Sequence, residues 1–327
     1  MAEVLRPGVD FQASPYKPTK HLRTLAWSAA GAMVVGGVVE NHRRAVNAWG
    51  RWPETALTVL PFEGEQTGVS GVVIQGFGKV EGGAIAEQMK GAIPNIPWAS
   101  FDYNNVKGLT TADLAAGLTR YKEETNAQYL DAYAPSMGLP TLLIAAKAAN
   151  IPLRYIFANS SPFELGDGKA NGLGKIVQKT PYHFGYAGKM IGTVVTRRKQ
   201  QGGLKLNHFA EAWRERGQSS PQLLSSQVAL LENPAFQDPE SFKGIIDPKV
   251  TKVFYFSPNP EKDSVVFVEQ AFPKWREFFG ELGVELQSIP MPEADHASHK
   301  HAVKVGKPVF ESLYRPKNGT VFPGQLV

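Results

Sequence analysis

From Glu54 onward the chain alternates short β-branched runs with stretches of helical periodicity. Residues 56–60 (ALTVL) and 69–74 (VSGVVI) are apolar runs bounded by Pro, Gly and polar residues, the pattern of strands. Residues 79–90 predict a helix, 98–103 (WASFDY) a third strand, and 111–125 an amphipathic helix with Thr110 or Thr111 as N-cap. A buried strand is predicted at 128–134 (QYLDAYA), then a strongly apolar helix at 139–149 and a strand at 153–158. Further strands fall at 253–256 (VFYF) and 284–289 (VELQSI), with helices across 265–279 and after His296. Strands alternating with helices imply an α/β fold whose mostly parallel, doubly wound sheet is covered on both faces.

Two regions depart from this texture. Residues 161–250 are largely irregular, basic and Gly-rich, with helical pieces around Ile191 and Phe209, and read as a helical cap inserted over the strand ends. The N-terminal 1–52 reads as an addition to a main domain of 53–327. Residues 1–20, with Pro7, Pro15 and Pro18, form a flexible lead. Residues 25–39 (LAWSAAGAMVVGGVV) are fifteen positions without a charge, preceded by Lys20, His21 and Arg23. That is short of the roughly 20 residues a bilayer-spanning helix needs.

Three readings stand for this hydrophobic segment: a membrane anchor, a cleaved export signal, or a helix packed on the body. Gly31, Gly36 and Gly37 weaken a soluble helix, because Gly costs about 1 kcal/mol against Ala. The first two readings place the protein at a membrane or in the cell envelope, the third in the cytoplasm. Arg43, Arg44 and Arg51 follow the run, so charge asymmetry does not orient it.

Charge and composition narrow the function classes. The net charge is +5, and residues 161–220 alone hold ten Lys or Arg against four Asp or Glu. That surplus suits either a solvated basic face or a surface meeting anionic lipid or polymer. No basic groove with interleaved aromatics and no nucleic-acid motif accompanies it, so nucleic acid is not an expected partner. The absence of cysteine removes disulfides, thiolate metal sites and cysteine nucleophiles together.

The stretch Tyr133 to Gly138 (YAPSMG) carries the most chemistry. A buried strand runs directly into Ser136, small residues stand two positions to either side, and an apolar helix begins at once. A sharp turn of this kind strains the serine backbone and aims a helix N-terminus at the reaction centre. Gln75-Gly76-Phe77-Gly78 follows the VVI strand. After VFYF come Ser257 to Val266 (SPNPEKDSVV), and after VELQSI come Pro290 to Ala297 (PMPEADHA). Asp263 and His296 lie in these last two loops, far enough apart for one helix and one strand between them.

In that order the four stretches resemble the α/β-hydrolase superfamily. YAPSMG is similar to the nucleophile elbow G-x-S-x-G with Ala134 replacing the first Gly. QGFG resembles the H-G-F-G oxyanion loop with Gln75 in place of His, and KDSVV resembles G-x-x-D-x-V-V. DHA looks like the loop ending in G-H, with Asp295 where Gly often sits. The resemblance implies Ser136 as nucleophile, Asp263 as orienting acid and His296 as base. It implies an oxyanion hole from the N–H groups of Phe77 and Met137, and places Gly76 and Gln75 beside the substrate. It implies no cofactor and a small-molecule or lipid-like ester, with a serine esterase or lipase-like activity. Aromatics of the inserted block (Phe163, Tyr182, Phe184, Tyr186, Phe209, Trp213 and Phe236) beside its basic residues suit an acyl or lipid-like substrate. The rival is an inactive hydrolase-fold binding or scaffolding protein at a membrane, left open by Ala134, Pro135 and Gln75.

Alternatives remain for individual roles. Asp295, Glu261 or Asn159 could orient the base in place of Asp263. His299 and His301, close to His296, could suggest a metal site, but no further cluster of ligand spacing accompanies them. Otherwise both are lone surface histidines.

Overall fold

The computed structural model describes residues 56–64, 67–76, 82–103, 110–168, 221–263 and 265–314. In chain order the elements are β1 (Ala56–Val59), β2 (Val69–Val73), α1 (Gly83–Ala92), β3 (Trp98–Asp102), α2 (Thr111–Glu124), β4 (Tyr129–Pro135), α3 (Gly138–Ala149) and β5 (Leu153–Asn159). They continue with α4 (Pro221–Leu231), β6 (Lys252–Pro258), α5 (Val268–Glu281), β7 (Leu286–Met291) and α6 (His299–Tyr314). The hydrophobic segment 25–39, Phe77 and residues 169–220 lie outside the described residues. Among the described residues no helix is long and apolar enough to cross a membrane.

The seven strands form one sheet in the order β1-β3-β2-β4-β5-β6-β7. Only β1 runs antiparallel to its neighbour; every other pair is parallel. The chain steps outward from β2 to β3, then crosses back over β2 to β4. The carboxyl ends of β2 and β4 therefore border the crevice at a topological switch point, where such sheets place their sites.

Side-chain alternation in the strands sorts the core into two layers. Val72, Ala99, Ala132, Ala134, Ile156 and Tyr255 face one side, against Leu114 and Leu118 of α2, Leu139 and Leu142 of α3, and Trp275 and Phe278 of α5. Val73, Trp98, Tyr133, Phe157, Phe254 and Phe256 face the other, against Met89 of α1 and Phe310 of α6. Both faces are covered, as the near-continuous apolar strands require. Phe163 and Phe236, read above among the cap aromatics, pack into the first layer. The Phe163 ring sits 4.8 Å from that of Trp275, and Phe236 stacks on Phe242 at 5.7 Å. Tyr182, Phe184, Tyr186, Phe209 and Trp213 lie outside the described residues.

One buried ion pair fastens the sheet away from the serine. Arg154 meets Asp131 in a two-pronged contact, Nε to Oδ1 at 3.0 Å and Nη2 to Oδ2 at 2.6 Å. The same carboxylate accepts the Tyr155 N–H at 3.1 Å and the Tyr314 hydroxyl at 2.5 Å. Burial works against the Arg154 charge, but the Asp131 carboxylate overrides it and raises the pKa above the ordinary arginine value. Tyr314 is the last residue of α6, so this cluster pins that helix to β4 and β5.

Among the element boundaries that differ from expectation, two have identifiable reasons. α5 begins at Val268 rather than 265, because Val266 forms an antiparallel bridge with Gly168 and so lies outside the helix. The N–H of Phe267 goes to the Asp167 carbonyl at 2.7 Å. β7 lies at Leu286–Met291 rather than 284–289, a shift set by its pairing from Val253↔Leu286 to Pro258↔Met291. Pro290 is tolerated there because β7 is the sheet edge, where a missing donor costs no ladder bond.

Candidate active site

The site is assembled from loops at the carboxyl ends of β2, β4, β6 and β7. β4 ends at Pro135, and Ser136 takes the left-handed φ of +51° before α3 begins at Gly138. That conformation is costly for a residue with a Cβ and holds only where the surroundings fix it. Here the Ser136 N–H donates to the Asn159 carbonyl at 2.7 Å, tying the turn to the end of β5. Small neighbours are a steric necessity. Ala134 is fully buried. A methyl on Gly138 would overlap the Ile74 carbonyl oxygen and sit 3.3 Å from that of Gln75.

Gly76 approaches the turn from β2. A Cβ there would meet Ser136 Cβ at 3.0 Å and the Pro135 carbonyl oxygen at 3.1 Å, so any other residue would push the two loops apart by a few tenths of an ångström. Gln75 is buried, and its side-chain amide donates to the Phe101 carbonyl at 2.6 Å. Its own carbonyl accepts the Tyr103 hydroxyl at 3.2 Å. Met137, at the N-terminus of α3, is buried, and among the described residues its N–H has no hydrogen-bond partner. That free donor and the positive end of the helix dipole favour negative charge at this spot.

Ser136, His296 and Asp263 come together. Ser136 Oγ lies 3.0 Å from His296 Nε2, and His296 Nδ1 lies 3.0 Å from Asp263 Oδ2. The carboxylate can only accept, so it holds the proton on Nδ1 and leaves Nε2 to accept from the serine hydroxyl. Asp263 is fully buried, while the His296 side chain is 18% exposed. Burial alone would raise the Asp263 pKa. Hydrogen bonding to His296, the imidazole charge and the N–H groups of Val266 and Val265 outweigh burial, and hold the carboxyl below its ordinary range.

The other candidates separate cleanly. Glu261 and Asp295 are exposed. The Asn159 amide donates to the Tyr133 hydroxyl at 2.8 Å. His299 is not a lone surface histidine: its Nδ1 lies 3.2 Å from that hydroxyl, and the two rings meet edge to face at 5.8 Å. His301 Nδ1 pairs with Ser298 Oγ at 2.8 Å. Among the described residues no cluster of His, Asp and Glu could hold a metal ion.

Residues that the sequence reading passed over complete the arrangement. Ser160, with φ of +52°, donates its hydroxyl to Asn159 Oδ1 at 3.1 Å. It also accepts the N–H of Ala297 at 3.1 Å, and Ala297 is itself left-handed at +49°. The loop carrying His296 is thus moored to the end of β5. The run Asn159-Ser160-Ser161 directly after an apolar strand was the available signal, since small polar residues there are placed to bond a neighbouring loop. Gln227 of α4 is fully buried and donates to the Gly76 carbonyl at 3.2 Å; nothing local in its sequence marks it.

No protein-family model matches the chain, and no curated protein matches it. Solved structures do. A Burkholderia cenocepacia protein designated an aryl esterase superposes with a TM-score of 0.53 at 11% identity, covering 80% of this chain and 96% of that one. MenH from S. aureus superposes with a TM-score of 0.51 at 13% identity, covering 80% of this chain and 99% of that one. The chain has the α/β-hydrolase fold.

Proposed function

We propose that the protein is a serine hydrolase that cleaves a carboxylic ester through an acyl-enzyme. The observation that carries this reading is the continuous relay from Ser136 Oγ through the His296 imidazole to buried Asp263, with both contacts at 3.0 Å. Ser136 Oγ attacks the ester carbonyl carbon while His296 Nε2 takes its proton. The oxyanion of the tetrahedral intermediate is held by the N–H of Met137 and that of Phe77, with Gly76 bordering the acyl carbon. Collapse breaks the carbon–oxygen bond, and His296 returns the proton to the departing alcohol. Water, deprotonated by His296, then hydrolyses the acyl-serine and releases the carboxylic acid. Asp263 keeps the imidazole in the required tautomer and balances its transient charge. The aryl esterase designation of one structural neighbour supports ester over amide as the substrate.

Within this reading a lipid-like acyl group suits Tyr182, Phe184, Tyr186, Phe209 and Trp213 and the basic residues of the same block, Phe163 and Phe236 being taken up by the core. Membrane association through 25–39 belongs to the same proposal, supported by that uncharged run. Flotation of the full chain with anionic vesicles, compared with a chain beginning at residue 53, tests the membrane part. The catalytic part is tested by a fluorophosphonate probe and a series of p-nitrophenyl esters. Wild type should label stoichiometrically and release p-nitrophenol, and Ser136→Ala should do neither above background. Failure of folded wild type to label would leave the fold as a binding module.

A further inference from the structure

We infer that Gln227, carried by α4, is a positioning residue for the oxyanion hole; this rests on the hydrolase reading above. The argument begins at Gly76. The close approach to Ser136 favours glycine there, and glycine leaves the backbone free to rotate. The peptide that starts at the Gly76 carbonyl carries the N–H of residue 77 at its other end. A planar trans peptide points its C=O and N–H in opposite directions. Whatever fixes the Gly76 oxygen therefore fixes the direction in which the assigned oxyanion donor aims.

Two hydrogen bonds hold successive carbonyls of this strap, and they come from different parts of the molecule. Tyr103, at the end of β3, donates to the Gln75 carbonyl at 3.2 Å and sets the preceding peptide from the body. Gln227 Nε2 donates to the Gly76 carbonyl at 3.2 Å and sets the peptide that matters from α4. Gln227 is fully buried, and its neighbour Val228 is buried too, so the amide is not a mobile surface group that happens to reach the loop. A turn of the Gly76 peptide would swing the proposed donor off the oxygen it is to hold. α4 thereby holds one half of the anion pocket in register.

The test is Gln227→Met, which keeps length and volume and removes the donor, with Gln227→Ala beside it. Both are assayed on p-nitrophenyl acetate, with rates divided by the end-point stoichiometry of fluorophosphonate labelling so that unfolded protein does not count. One neutral hydrogen bond is worth about 1 kcal/mol, roughly a fivefold change in rate. Both variants should lose about fivefold or more in kcat and equally in kcat/KM, with KM within twofold, and should label at a correspondingly slower rate. An unchanged kcat per labelled site, or a loss confined to KM, overturns the inference while the hydrolase reading stands. If wild type neither labels nor hydrolyses the ester, the hydrolase reading has failed and takes this inference with it.

Discussion

Replacing Gly138 by alanine should damage both stability and turnover, for one steric reason. The added methyl would overlap the Ile74 carbonyl oxygen and lie 3.1 Å from the Ile74 carbonyl carbon and 3.3 Å from the Gln75 oxygen. A carbon atom settles at about 3.5–4.0 Å from such neighbours, so all three contacts are too short. They are backbone atoms at the end of β2, with no rotamer to swing aside. Overpacking costs typically 1–3 kcal/mol, and rigid neighbours place this case at about the upper figure. For a domain of this size 1 kcal/mol shifts Tm by about 2–4 °C, so a fall of about 6–12 °C is expected. Relief can come only by parting α3 from the Gln75–Gly76 strap, and α3 starts directly after Met137, one of the two proposed oxyanion donors. A displacement near 1 Å costs on the order of 10²-fold in rate. Thermal unfolding followed by circular dichroism reads the first effect, and kcat/KM on a p-nitrophenyl ester reads the second. A Gly138→Ala protein with unaltered Tm and turnover would refute the reasoning, because the strap could not then rest against this helix.

Three further outcomes follow from the contacts described. Ser160→Ala removes the acceptor for the Ala297 N–H, and should lower kcat several-fold with a loss near 1 kcal/mol in urea unfolding; wild-type kcat would count against the mooring. Arg154→Met leaves the Asp131 carboxylate buried without its partner, and should cost about 3–5 kcal/mol while kcat of the folded fraction at low temperature is retained. Asp263 has its folded pKa below the unfolded value of about 3.9, so its carboxylate contributes stability above that pH and loses it as pH falls through the folded value. The Tm gap between wild type and Asp263→Asn should therefore be full at pH 6 and narrow below roughly pH 4; a gap that widened on acidification would contradict the sign.

The sequence made the centre of the sheet and the three relay residues legible because both rest on local pattern. Val72 and Val73, Tyr133 and Ala134, and Phe254 and Tyr255 are adjacent apolar residues on opposite faces, and a strand buried on both sides has to read that way. Ser136 was legible from small residues placed around a strand-to-helix turn, and His296 and Asp263 from loops that follow strands. What escaped was set by partners distant in sequence. No local feature tells that Phe267 will give its N–H to the Asp167 carbonyl and that α5 will wait for Val268. The antiparallel direction of β1 is likewise invisible in its four residues, and His299 looked like a surface histidine until Tyr133 lay beneath it. Gln227 sits 151 positions from the carbonyl it holds.

Among the described residues five non-glycine positions adopt positive φ, and they fall into two kinds. Asn126 and Asn150 close helices in turns, where asparagine takes this shape at little cost. Ser136, Ser160 and Ala297 surround the relay instead, and none belongs to a residue type at ease there. Heat tolerance and turnover thus pull against each other at these three places. Breeding this protein for hotter conditions would find its cheapest gains in relaxing them, and each gain would loosen the grip on the imidazole or the nucleophile.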